Sequence, residues 1–312
     1  MFKLDNTRQI FGQALAEYGA ENKKVVVLTA DVSSSVMTTF FAQKNPERFF
    51  NVGIAEAGMI DTAVGLALSG MVPFASTFAA LLLRAAEQVR TCVAYANTNV
   101  KIIGSFAGLS DAKDGATHHS IMDLAVFRAM PNMTVIVPSD SIEARKMIPL
   151  IAEHEGPVYI RISRSEMPII FDESHKVTIG RGITVRDGSD VTIIANGHLL
   201  SRALEAADQL GSKGIMARVV NMPTVKPLDM PLLRKCARET GAVVTAEEHS
   251  IIGGLGSAVA ESVSGEIPVP VKRVGVADKF TESSKDLGPL LDKYGMAVAD
   301  IVRAAQEAMK LK

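Results

Sequence analysis

Residues 23–31 read KKVVVLTAD and residues 100–108 read VKIIGSFAG. Each is a short, β-branched run that stops at a turn residue, Asp31 in the first and glycines in the second. Each also follows a segment with apolar residues at helical spacing, Thr7 to Tyr18 and Thr77 to Ala94, the latter predicted as one long helix behind a short strand MVPFAS that Pro73 bounds. Further along, PNMTVIVPSD (131–140) and PVYIRIS (157–163) are two more strands, the second running on to Arg164. The helix SIEARKMIPLIAEH lies between them, with Ser139 or Asp140 as its N-cap. A helix from about Glu56 to Leu68 completes the pattern. Helices alternating with short apolar strands make a mostly parallel sheet covered on both faces, so this part of the chain is α/β.

Outward from that unit, the regular pattern stops near Glu166. The stretch MPIIFDESHKVTIGRGITVRDG mixes turn residues with short extended pieces, as a surface linker or an edge hairpin does. A second α/β unit begins at SDVTIIANGH and continues through IMARVVNM, PTVKPLD, AVVTAEEH and PVKRVGV to a closing helix YGMAVADIVRAAQEAMK. The organisation predicted is a first domain over 1–168, a linker over 169–188 and a second domain over 189–312. Each domain is a three-layer α/β/α sandwich. With 312 residues, 47% hydrophobic and 21% charged, there is material for two buried cores.

Composition excludes several function classes. A formal net charge of −1 without a Lys/Arg block argues against nucleic acid. No apolar run approaches the roughly 18 residues that a membrane-spanning helix needs. The N-terminal stretch MFKLDNTRQIFGQ lacks the apolar region of a signal peptide. Cys92 and Cys236 are far apart in apolar surroundings, fitting neither a disulfide scaffold nor a C-x-x-C site, and are read as buried small hydrophobes. The expectation is a cytoplasmic protein.

Ligands of parallel α/β sheets bind beyond the carboxyl ends of the strands, so loops there carry weight. Three stand out. Glu56 enters an apolar helix from a glycine-marked loop, either as a functional carboxylate that is costly to bury unpaired or as a first-turn residue stabilised by the helix dipole. The loop Ala107 to Ser120 carries Asp111, Lys113, Asp114, His118 and His119, with Asp123 just beyond. It reads as an acid/base and hydrogen-bonding cluster for a small polar substrate or as a plain solvated loop. A metal site is disfavoured, because adjacent histidines point apart. Arg164 could clamp a phosphate or carboxylate in bidentate fashion, whereas Arg161, inside a strand, is more simply a partner for a buried carboxylate. The run GGLGSA near Gly254 lacks the spacing of a dinucleotide or P-loop motif, so neither NAD nor ATP is supported.

Six stretches in order, GIAEAGMIDTAVGLALSG, PFASTFAALLLRAAEQVR, KDGATHHSIMDLAVFRAMPNMTVIVPSD, GPVYIRISRSEMP, VKPLD and EEHSIIGGLGSAV, resemble the C-terminal two thirds of thiamine-diphosphate-dependent transketolases, over about Asp5 to Val302. The resemblance implies a pyrimidine-binding domain followed by a transketolase C-terminal domain, with the diphosphate-binding domain and its Mg²⁺ ligands on a separate N-terminal subunit. It thus implies a split transketolase, inactive alone and assembled as α2β2, that moves a two-carbon ketol unit from a ketose to an aldose. By the same resemblance Glu56 is the catalytic glutamate at the pyrimidine N1′, Phe78 and Leu81 line the cofactor ring, Asp114 and His118 contact donor hydroxyls with His118 assisting proton transfer, and Arg164 binds a distal phosphate. Two positions depart from the family pattern. Leu81 stands where a phenylalanine usually stacks on the pyrimidine, and Phe106 stands where a phosphate-contacting histidine is usual. The second departure implies a substrate that is unphosphorylated, differently branched, or anchored by Arg164 and the partner subunit. The competing expectations are a 1-deoxy-xylulose-5-phosphate synthase-like chain, the β subunit of a 2-oxo-acid dehydrogenase, and a non-catalytic scaffold of the same fold. KDGATHHS and the SR-x-x-x-P segment favour transketolase over the dehydrogenase.

Overall fold

The computed structural model describes residues 2–312. The first part contributes strands β1 (Leu4–Asp5), β2 (Val25–Thr29), β3 (Phe49–Asn51), β4 (Val72–Phe78), β5 (Lys101–Ser105), β6 (Thr134–Ile136), β7 (Val158–Ile162) and β8 (Met167–Pro168). The second contributes β9 (Ile183–Arg186), β10 (Val191–Ala195), β11 (Ala217–Asn221), β12 (Thr224–Lys226), β13 (Val243–Ser250) and β14 (Val271–Val276). They form a seven-stranded sheet in the order β12-β6-β7-β5-β4-β2-β3 and a five-stranded sheet in the order β14-β13-β10-β11-β9. Within these two sheets all pairings are parallel except the two that involve β12 and β9. The chain is α/β, with two domains built on mostly parallel sheets.

The strands are buried on both faces, which is why they read as unbroken apolar runs rather than alternating ones. Along β2, Val25 and Val27 join one core with Phe11, Leu15 and Ile148, while Val26 and Leu28 join another with Met59, Ile60 and Val93. The second sheet splits in the same way, Ile193 and Ile194 pointing into separate cores. The helix Glu56–Leu68 has the predicted bounds, and Asp140 is the N-cap of Ser141–Glu153, its carboxylate accepting from the Glu143 amide at 2.8 Å.

Four sequence expectations need correction. The stretch Thr77 to Ala94 is not one helix. Strand β4 runs to Phe78, and a short α turn (Ala79–Leu82) gives way to a 3₁₀ turn at Leu83–Ala85 and π-helical turns at Val89–Tyr95. Leu82, Ala85, Val89 and Val93 all enter one core, and their mixed spacing of three and four residues is met by changing helix type along the way. Pro73 does not bound the strand: it is the second residue of β4, paired with Val26 near the strand start. Strand β7 ends at Ile162, leaving Arg164 in the following loop. Cys236 is buried, but Cys92 is only half-buried. Within the stretch read as a linker, β9 is the antiparallel edge strand of the second sheet. No expectation covered β12, which leaves the second half of the chain to pair antiparallel with β6 on the first sheet.

The seam between the sheets is unusually charged. Glu247, Glu248 and His249 lie on β13, and His198 opens the helix Leu199–Gly211. Burial pushes the two carboxyls up to about 7 and the two imidazoles down to about 4, from ordinary values of 4.5 and 6.5. The raised carboxyls favour the fold at low pH, an effect lost as pH rises through about 7. The depressed imidazoles favour it above 6.5, an effect lost as pH falls through about 4. Between 4.5 and 6.5 folding therefore takes up two protons on carboxyls and releases two from imidazoles, and these four groups add no pH slope. Replacing His249 by Gln removes one of the two imidazoles from that balance. Urea unfolding of H249Q should weaken from pH 5 to 6.5 relative to the wild type by on the order of 1 kcal/mol per pH unit. Parallel profiles for the two proteins would show that His249 is not held neutral.

Candidate active site

The carboxyl ends of β4, β5 and β7 place Phe78, Phe106 and Arg164 on one side of the first sheet. The Phe78 and Phe106 rings stack with centroids 4.0 Å apart and planes 19° apart. Val36 is buried with them, and Val32 and Leu81 pack half-buried against the cluster. His118 meets the edge of Phe78 with ring centroids 6.1 Å apart, and its Nδ1 lies 3.1 Å from Thr117 Oγ1. Phe106 holds this position with φ of 58°, a backbone conformation that bulky side chains rarely adopt. Such an outlier persists where the surroundings over-determine it. Here Phe78 and two guanidinium groups do so.

Those guanidinium groups belong to Arg8 and Arg164, whose Cζ atoms lie 5.0 and 5.3 Å from the Phe106 centroid. Arg8 donates to the Ser35 carbonyl. Arg164 donates to Asp111 Oδ1 at 2.6 Å, and the other Asp111 oxygen, also buried, has no partner among the described residues. Burial pushes the Asp111 carboxyl up, and the neighbouring Asp114 adds to this, while Arg164 opposes it. Burial and the neighbouring Arg164 lower the basicity of Arg8. Two cations gathered over one aromatic floor, of which only Arg164 donates to a carboxylate, are suited to an anionic group.

Glu56 stands apart from this cluster. It is the first residue of its helix, 5% exposed, and no hydrogen bond reaches its carboxylate among the described residues. An ion-pair contact comes from the exposed Arg84, Nε to Oε2 at 3.8 Å. The dipole of the Glu56–Leu68 helix favours its charge, as the simpler reading requires, yet a buried carboxylate without a donor is set up to accept one from outside the chain. Exposed apolar side chains stand just before this helix and at its end, Ile54 at 82% and Leu68 at 76% exposure, and Tyr95 on the neighbouring π-helical turns is 84% exposed.

Of the histidine pair, His118 is half-buried and faces the aromatic cluster, whereas His119 is buried with its ring nitrogens on Thr281 Oγ1 (2.6 Å) and the Asp111 carbonyl (3.0 Å). Asp114 is exposed at the tip of the loop. Arg161 is buried in an ion pair with Asp123, Nε to Oδ2 at 2.8 Å. At the GGLGSA turn, Glu247 accepts from the amides of Leu255 and Gly256 at 2.6 and 2.7 Å, so that helix N-terminus is capped from within.

Sequence reasoning missed Arg8, did not single out Asp111, and read Phe106 only as a lost hydrogen bond. Arg8 carried a signal: it is a cation in the first turn of the helix Thr7–Glu21, against the helix dipole.

Residues 5–169 match the family described as transketolase, pyrimidine binding domain, and residues 180–301 match transketolase, C-terminal domain. The chain is 43% identical over 306 residues to "6-deoxy-6-sulfo-D-fructose transketolase subunit SqwH" of Clostridium sp. (strain MSTE9), covering 98% of this chain and 95% of that protein. It is 37% identical to an apulose-4-phosphate transketolase subunit of Phocaeicola vulgatus, covering 97% of each. A solved structure, "Split gene transketolase, inactive beta4 tetramer", superposes with a TM-score of 0.92 at 51% identity, covering 98% of this chain and 99% of that one. On this agreement of sequence and fold, the chain belongs to the transketolase family, of which it is a C-terminal section joining a pyrimidine-binding domain to a transketolase C-terminal domain.

Proposed function

We propose that this chain is the C-terminal subunit of a split transketolase and that it transfers a two-carbon ketol unit from a ketose with a terminal anionic group to an aldose. In this reading residues 1–168 and 189–312 are its two domains, and an N-terminal subunit supplies the diphosphate site with its Mg²⁺ ligands in an α2β2 assembly. The observation that carries the reading is the Glu56 carboxylate, buried and without a hydrogen-bond donor of its own. When bound, thiamine diphosphate supplies the electron sink that lets the donor carbon–carbon bond break. The residues of this chain fit that group: Glu56 is free to share a proton with a ring nitrogen, and Phe78 and Leu81 offer apolar surface in the cluster beyond β4. The exposed Ile54, Leu68 and Tyr95 suit burial against another protein chain.

Asp114 and His118 lie on the loop rim where they can hydrogen-bond donor hydroxyls, with His118 able to accept or return a proton. Arg164 with Arg8 holds the anionic end over Phe106. The two relatives above are named for a sulfonated and a phosphorylated sugar, each with an anionic group that such a clamp would take. Phe106 thus exchanges a direct hydrogen bond for an aromatic floor that carries two cations.

The test is an assay of this chain with its N-terminal subunit, Mg²⁺ and thiamine diphosphate, following two-carbon transfer by mass spectrometry. Glu56→Ala should lower turnover by about 10² or more. Turnover intact in E56A would refute the assigned chemistry. Arg164→Ala and Arg8→Ala should each raise KM for an anionic ketose with kcat little changed, a loss of about 1.5–3 kcal/mol. The same variants should leave KM for a neutral ketose unchanged, and an equal effect on both substrates would remove the arginines from the anion site.

A further inference from the structure

The loop that carries Asp111, Asp114 and His118 is held from the C-terminal domain. Its base closes on itself, with Gly108 and Ser120 exchanging backbone hydrogen bonds at 3.1 and 2.9 Å. Beyond that, Glu248 on β13 accepts from the Leu109 amide at 2.5 Å through Oε1, across the seam between the domains. Both residues are buried, Leu109 completely and Glu248 at 7% exposure, so water does not replace the contact. Gly108 fits this approach: its φ is +63°, and a Cβ there would lie 2.4 Å from the same Glu248 oxygen. The Glu248 main chain belongs to the arrangement as well, because Arg161 donates to its carbonyl at 3.2 Å and to the Ser120 carbonyl at 2.8 Å. Two further ties come from the C-terminal domain: Thr281 bonds His119, and the Ser284 amide donates to the Ala112 carbonyl at 2.7 Å.

We propose that Glu248 is a positioning residue for the substrate loop, so that the C-terminal domain, through Glu248 and secondarily Thr281, sets the affinity for the ketose donor. The proposal deepens the functional reading above and rests on it in one respect, that residues 107–120 face the donor. Leu109 lies two residues before Asp111, the partner of Arg164. Releasing its amide leaves a buried N–H unpaired and frees the segment that aligns Asp111 with the anion clamp. Glu56 lies on a different element, with its ion-pair contact to Arg84, and is untouched by this change. The expected lesion is therefore in substrate binding and not in cofactor binding.

Steady-state kinetics of the complex with the N-terminal subunit test this. In Glu248→Ala, KM for an anionic ketose should rise at least tenfold, with kcat within threefold of wild type and thiamine diphosphate affinity unchanged. E248Q keeps an oxygen for the Leu109 amide and should recover most of the loss. Thr281→Val should raise KM in the same sense by about threefold. A purely structural lesion would instead lower kcat and cofactor affinity together at constant KM, and that outcome overturns the proposal. Hydrogen exchange on the full chain gives an independent arm. The Leu109 amide should be protected in the wild type and at least a hundredfold less so in E248A, whereas free exchange in the wild type, or equal protection in both, also overturns it. If E248A does not fold, wild-type exchange at Leu109 and the T281V kinetics decide. If the wild-type complex transfers no ketol unit, the functional reading fails, and the exchange arm still decides whether Glu248 holds the loop.

Discussion

A guanidinium group taken out of water inside a parallel sheet needs a counter-charge and acceptors, and Arg161 imposes that demand on everything around it. Its side chain on β7 is 4% exposed. Asp123 neutralises it from the start of the helix Asp123–Ala129, and Tyr159 donates to the same carboxylate at 2.5 Å. Two guanidinium N–H groups donate to the main-chain carbonyls of Ser120 and Glu248, one at the end of the loop 107–120 and one on a strand of the other domain. One buried cation thus fixes the relation between the first sheet, the loop and the second sheet. Glu247 and Glu248 sit close enough to feel its charge, which offsets part of the penalty of their burial.

The Arg8–Arg164 pair and Glu56 are held by opposite strategies. Arg8 and Arg164 are held by an aromatic floor and by Asp111, so the cations are in place before any ligand arrives. Glu56 has no such internal support beyond a helix terminus and a distant, solvent-exposed Arg84. The first arrangement is complete within the chain, and the second needs something from outside it. That difference is the one the proposed sharing of the site with an N-terminal subunit calls for.

The fold was legible wherever a single local rule decided the structure. Strands buried on both faces announce themselves as apolar runs, as in VVVLT and VTIIA, and a carboxylate-capped helix is visible from Asp140 onward. The pairing of Arg161 with a carboxylate was also legible, since a strand interior leaves a cation little else. What stayed hidden depends on contacts distant in sequence. The π-helical turns at Val89–Tyr95 answer to a core shared with other elements, and β12 takes its place from an open edge on β6. At the site, Arg8 is about 100 residues from Phe106 in sequence, and nothing local reveals that the two meet. Asp111 was visible as one acid among several, and burial, which only the fold supplies, separates it from the exposed Asp114.

Strand β12 has a consequence for the way the two halves can be inherited or exchanged. By joining the first sheet, Thr224–Lys226 makes the C-terminal half part of the architecture of the N-terminal half, across a sequence gap that includes the whole of β10 and β11. A chain shortened before Thr224 would present β6 as a bare edge, a template for pairing with other chains. Swapping the C-terminal half for that of a relative would replace both that edge and the Glu248 contact that holds the loop 107–120 in a single event. The two domains share core as well as sheet, with Leu109, Ala112 and Ile121 packing into the second domain and Val225 and Ala258 into the first, so the unit that must be kept together is the seam.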